Sequence, residues 1–130
     1  MINEKKTIYI PIEIKARELA SQVLLASQLA RLGARVYLGS KGDIFSIIRK
    51  NPKKSGTLLY KGGMGSRYFK QFKRRLDAIA VLDQEISPRL VDCSRLSKRF
   101  TSDELAYVDR LYYVAQRFAD AMEAAFPESV

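Results

Sequence analysis

Apolar and polar positions alternate from Thr7 to Glu13, where Ile8, Ile10 and Ile12 stand against Tyr9 and Pro11. A period of two in β-branched and aromatic residues predicts a strand. Pro11 has no N–H for a ladder, so the strand is expected to reach its carboxyl end there. The period then lengthens. Leu19, Val23, Ala26, Leu29 and Ala30 fall on one face at helical steps, predicting a helix over about 16–32 with Gly33 as its C-cap. ARVYLGS reads as a second strand, and GDIFSIIRK as a short helix with Asp43 near its positive end. GTLLYKGG is a third strand entering a glycine-rich turn. SRYFKQFKRRL is an amphipathic helix expected to be capped by Ser66, and AIAVLDQE is a continuous apolar run suited to a strand covered on both faces. An irregular stretch leads to Thr101, which forms a capping-box pattern with Glu104. LYYVA then reads as a fifth strand and QRFADAMEAAF as a last helix, with one long helix over 102–126 as the alternative.

Strictly alternating strands and helices predict an α/β fold: a Rossmann-like three-layer sandwich around a parallel sheet of about five strands. The expected strand order is 3-2-1-4-5, with the first strand central. The 130 residues make one domain, 1–130.

Charge and composition narrow the chemistry. The formal net charge is +9, which favours anionic partners. There is no histidine, which removes His-based general bases and the commonest zinc ligand. The single cysteine, Cys93, has no partner for an internal disulfide, in keeping with a reducing compartment. No metal or other cofactor is expected. The start, MINEKK, does not have the form of a signal peptide, and no apolar run approaches the length of a membrane span. A cytoplasmic location follows as the expectation.

In parallel sheets ligands gather at the carboxyl ends of the strands. Four loops are expected there: 13–18, 39–43, 61–67 and 83–88. The first offers Glu13, Lys15, Arg17 and Glu18 without a glycine. A carboxylate beside two cations suits sugar hydroxyls or acts as a base tuned by those neighbours. A surface salt-bridge cluster is the plainer account. Ser40 and Lys41 precede a helix start, a modest anion site. Gly62 and Gly63 lead towards Ser66 and Arg67 in KGGMGSR, whose amides suit a phosphate, or serve only a tight turn. Asp83 and Glu85 end the fourth strand.

The segment from Tyr9 to Phe45 resembles the opening of the bacterial surface carbohydrate (polysaccharide) biosynthesis proteins, glycosyltransferases of the two-Rossmann-domain GT-B type. The match rests on Pro11-Ile12-Glu13, on Lys15-Ala16-Arg17-Glu18-Leu19 and on Gly39-Ser40-Lys41. Asp83-Gln84-Glu85-Ile86 stands where the family has an Asp-Glu-Glu-Gly type motif, and Arg99-Phe100-Thr101 matches an Arg-Phe-Ser/Thr signature. The resemblance implies the acceptor-side half of a glycosyltransferase for capsule or lipopolysaccharide sugars, using a nucleotide-sugar donor. It implies Glu13, Asp83 and Glu85 as catalytic candidates. Lys15, Arg17, Glu18, Ser40, Lys41, Gly62, Gly63, Ser66 and Arg67 are the corresponding substrate-binding candidates. The family's donor-binding domain begins about where this sequence stops, so the chain alone is expected to be inactive. Self-association through Met64, Tyr68 and Ile86 and attachment at the inner face of the cell membrane are further expectations. The rival readings are a non-catalytic module for an anionic ligand and, below it, a nucleic-acid-binding domain using the basic helix 67–75.

Overall fold

A computed structural model describes residues 5–62, 65–82 and 101–112. The elements are β1 (Thr7–Ile12), α1 (Lys15–Arg31), β2 (Arg35–Ser40), α2 (Lys41–Lys50), β3 (Thr57–Tyr60), α3 (Ser66–Lys73), β4 (Ala78–Leu82), α4 (Ser102–Leu105) and β5 (Arg110–Tyr112). The five strands form one sheet, and the fold is the expected Rossmann-like α/β type. The strand order is 2-1-3-4-5, which corrects the expected 3-2-1-4-5. β1 pairs in parallel with β2 from Thr7↔Arg35 to Ile12↔Ser40, and with β3 at Ile8↔Thr57 and Tyr9↔Leu58. The reason lies in β2. Arg35, Tyr37 and Ser40 are exposed along it, a pattern fit for a sheet edge and not for a strand flanked on both sides. β3 therefore returns to the far side of β1, whose residues from Tyr9 to Ile12 are all buried. β4 and β5 also pair in parallel, from Ala80↔Arg110 to Leu82↔Tyr112.

The chain forms two compact units: Met1–Leu59 with Phe72–Ala78, and Tyr60–Gln71 with Ile79–Val130. In the first, α1 and α2 both pack on β1 and β2. A right-handed crossover from β1 to β2, followed by the return to β3, puts the two helices on opposite faces of β1. Ile10, Ile44, Ile48, Leu58, Phe72 and Leu76 are fully or almost fully buried there. Phe45 meets Phe72 at 4.6 Å between ring centroids. In the second unit Phe69, Ile79 and Val81 are fully buried.

Helix termini follow the local sequence with two exceptions. At the end of α1, Gly33 at φ +97° lets its N–H donate to Ala30 O and the N–H of Ala34 to Leu29 O, closing the last turn as expected. At the start of α3, Ser66 is already helical; the carbonyl of Gly65 accepts from Phe69 N–H in the capping position, correcting the expected serine cap. At the start of α1 the capping position is Ile14, which has no capping oxygen; Glu18 one turn later instead accepts from the N–H groups of Glu13 and Ile14 that lead into the helix. The Thr101–Glu104 capping box is present. α4 stops at Leu105 and β5 follows, so residues 102–112 do not form the single long helix. The proposed last helix, 116–126, lies outside the described residues.

The face that α1 turns inward is not the apolar one. Glu18 and Gln22 are its buried residues, with Leu25 and Leu29 half-buried, whereas Leu19, Val23 and Ala30 are exposed. The side-chain oxygen of Gln22 is buried without a hydrogen-bond partner, a cost of about 1–3 kcal/mol.

Candidate functional site

The in-phase register of β1 and β2 ends at Ile12↔Ser40, so the next residues of both strands emerge side by side. These are Glu13 and Lys41. Their charged groups lie 3.9 Å apart, Lys41 Nζ to Glu13 Oε1, and both side chains are close to half exposed. In this geometry the pair contributes little to stability and remains open to solvent on one side. Lys41 also sits 5.7 Å from the centroid of Phe45, which fixes the direction of its stem. Ser40 is the N-cap of α2, its hydroxyl accepting from Asp43 N–H at 3.2 Å. Lys15 and Arg17 are exposed on the first turn of α1.

Glu18 has a different task. It is 6% exposed, and its carboxylate accepts from Ile14 N–H at 2.6 Å and from Glu13 N–H at 3.3 Å. It holds the turn through the backbone N–H groups of Glu13 and Ile14. The glycine-free turn at 13–18 is thus organised by an internal carboxylate on its own amides. That leaves Glu13, Lys15, Arg17 and Lys41 as the outward chemistry of this end of the first unit.

The glycine-rich loop belongs to the second unit. Gly62 is buried, Ser66 half-buried and Arg67 exposed, while Gly63 lies outside the described residues. Gly65 N–H donates to Glu104 Oε2 at 3.2 Å. The other oxygen of Glu104 accepts from the backbone N–H and the hydroxyl of Thr101, each at 3.3 Å. The anion at the start of α3 is therefore the chain's own buried carboxylate. Sequence spacing marked Glu104 as a cap only; its reach across 39 positions to Gly65 had no local signal. Asp83 and Glu85 lie outside the described residues.

Two further aspartates were invisible as structural groups. Asp77 Oδ2 accepts from Gly56 N–H at 2.9 Å while Asp77 N–H donates back to Gly56 O at 2.8 Å. Asp109 and Ile79 make the same reciprocal pair at 2.7 and 2.8 Å. Each locks the start of one strand to its neighbour.

The amino end of the sheet in the first unit also holds a cavity of about 390 Å³, lined among others by Lys5, Lys6, Ser55, Thr57 and Asp77. Lys53 and Lys54 precede Ser55, whose N–H is bonded to Arg75 O. The lysine pair before β1 was the available signal; pairing β1 with β3 was needed to bring it beside Ser55 and Thr57. Among the described residues no group of three or more His, Cys, Asp and Glu side chains is arranged to hold a metal ion, and no helix is long and apolar enough to cross a membrane. No protein-family model, no curated protein and no solved structure matches the chain.

Proposed function

We propose that this chain is the acceptor-side domain of a glycosyltransferase of bacterial surface-polysaccharide biosynthesis, acting with a nucleotide-sugar donor bound mainly outside it. The observation that carries the reading is the Glu13–Lys41 pair at the carboxyl ends of neighbouring parallel strands, where α/β sheets gather ligands. The sequence resemblance of residues 9–45 supports it. Glu13 takes the proton of an acceptor hydroxyl as that oxygen bonds to the anomeric carbon and the nucleotide leaves. Lys15, Arg17 and Lys41 meet a carboxylate or phosphate on the glycan, Arg17 in bidentate fashion. Without a glycine the turn offers no close backbone approach to a pyrophosphate, so side chains make the contacts.

The test is an amide NMR titration of the chain with a glucuronate-containing disaccharide, with the neutral glucose analogue and UDP-glucose in parallel. The acidic sugar is expected to move the resonances of residues 13–17 and 40–43. Glu13→Gln and Lys41→Ala should weaken it without lowering the melting temperature. UDP-glucose should bind weakly and no transfer should occur with this chain alone. Tight UDP-glucose binding, or no response at these residues to the acidic sugar, refutes the proposal.

A second reading, a non-catalytic module for an anionic ligand, draws on the lysine-lined cavity at the opposite end of the sheet. Inorganic pyrophosphate shifting residues 5–7 and 55–57, with residues 13–17 silent to every sugar, would select it.

A further inference from the structure

The amino end of the sheet in the first unit holds a larger cavity that the sugar site does not use. It measures about 780 Å³ and is lined by Lys5, Lys6, Ile8, Leu29, Leu32, Gly33 and Ala34. The cavity of about 390 Å³ beside Thr7, Ser55, Thr57 and Asp77 shares Lys5 and Lys6 with it. Two unlike linings therefore meet at one pair of exposed cations. One is aliphatic. Ile8 and Leu29 are half-buried, and Leu32, at 85%, is the most exposed large apolar side chain among the described residues. Arg35 N–H donates to Lys6 O at 2.8 Å, which ties the turn after Leu32 to the lysine pair. The other lining offers hydroxyls and one acid, Asp77, whose Oδ2 accepts from Gly56 N–H.

Positive charge is gathered at the same end. The segments 5–6, 31–35, 49–54 and 73–77 lead into the four strands β1 to β4. They hold eleven of the fourteen lysines and arginines among the described residues of the first unit, but only one of its four acids, Asp77. Glu13, Glu18 and Asp43 belong to the opposite end. Such a field draws anions. A bare inorganic anion would use the lysines and leave Ile8, Leu29 and Leu32 in water, whereas a neutral apolar molecule would leave the lysines unmatched. A lysine lays its stem along apolar surface while its ammonium reaches a polar group, so the pair can serve both linings at once. Ligand cavities of this size are typically mostly apolar with a few placed polar groups. A phosphate monoester carries nearly two charges at neutral pH, one for each lysine. We infer that the amino end of this unit binds an alkyl phosphate, a free single-chain amphiphile with its head at Lys5 and Lys6 and its chain along Ile8, Leu29 and Leu32. The inference is independent of the sugar site, which lies at the other end of the sheet. It goes beyond the anionic-ligand reading by giving the aliphatic cavity a ligand.

The probes are butyl, hexyl and octyl phosphate, each kept below its micelle concentration, with inorganic pyrophosphate as a head without a chain. Binding to the full chain is followed by amide NMR. The expected result is saturable shifts at residues 5–8, 29–34 and 55–57, with affinity rising about two- to fourfold per added methylene. Salt should weaken every probe. Leu32→Ser should flatten the dependence on chain length and leave pyrophosphate binding unchanged. Lys5→Gln with Lys6→Gln should weaken all probes by about tenfold and keep that dependence. These side chains are exposed, so the variants should keep the wild-type melting temperature. Leu24→Ser, exposed on α1 but outside the cavity, should change nothing. Affinity that does not depend on chain length overturns the inference, and with pyrophosphate bound at residues 5–7 and 55–57 it leaves the anionic-ligand reading standing alone. A dependence on chain length that Leu32→Ser does not alter also overturns it. So does attachment to phosphatidylglycerol vesicles without binding of monomeric octyl phosphate, which would assign this end to a bilayer. Binding that appears only after removal of residues 1–4 would assign the cavity to the chain's own first residues, and would equally refute a ligand.

Discussion

Gly56→Ala should be among the most damaging single changes in the first unit, by an amount the structure allows to be worked out. Gly56 has φ +92°, a region that costs an L-residue about 1–2 kcal/mol. A β-carbon built there falls 2.7 Å from Tyr9 Cε2 and 3.4 Å from Thr7 O. Tyr9 has little room to move: it is 5% exposed and its ring stacks on Tyr37 at 5.4 Å and 19°. Overpacking a fixed neighbour adds about 1–3 kcal/mol. Together these give about 2–5 kcal/mol, a large share of the roughly 5–15 kcal/mol typical of a whole domain. Gly33→Ala isolates the backbone part. Gly33 has a similar φ of +97° but nothing within 4 Å of the added carbon, so its cost should stay near 1–2 kcal/mol. The assay is urea unfolding of both variants, and of Gly56→Ala in a Tyr9→Leu background, where the excess cost should vanish. If Gly56→Ala costs no more than Gly33→Ala, or if Tyr9→Leu does not relieve it, the packing argument is refuted.

Three further outcomes are expected. Glu18→Gln should destabilise by about 1–3 kcal/mol in urea unfolding, since a neutral amide replaces a carboxylate holding two backbone N–H groups; an unchanged midpoint would return Glu18 to the ligand-facing set. Glu104→Ala should cost about 1–3 kcal/mol and raise the hydrogen-exchange rate of the Gly65 amide, which loses its acceptor; unaltered exchange would show that the contact does not hold the loop. Burial, followed by the neighbouring Tyr37, raises the phenol of Tyr9 above its ordinary value of 10.0. Above that value the unfolded chain releases this proton first, so stability contributed by the neutral phenol is intact below pH 10 and falls as pH rises towards the folded value. Denaturation midpoints across this range should decline less steeply in Tyr9→Phe, and identical slopes would refute it.

Much of the fold is legible along the chain because it is decided locally. The period-two run at 7–12, the glycine at 33 and the Thr101–Glu104 box each act within a few residues, and each appears as read. Sheet order is different. Whether β3 lies outside β2 or returns beside β1 depends on which edge can face water, and that is settled by the exposure of Arg35, Tyr37 and Ser40 once the strands are paired. The orientation of α1 was hidden for a related reason. Its apolar period gives the helix but not its rotation against the sheet, and in the structure Glu18 and Gln22 are the side chains it buries. At the candidate site, sequence supplied Glu13 and Lys41 as separate charges 28 positions apart; only the in-phase register of β1 and β2 places them 3.9 Å from each other. The same holds for Gly65 with Glu104 and for Gly56 with Asp77. Caps and periods are short-range and are written in neighbouring residues, whereas pairings across tens of positions exist only after the strands have been set side by side.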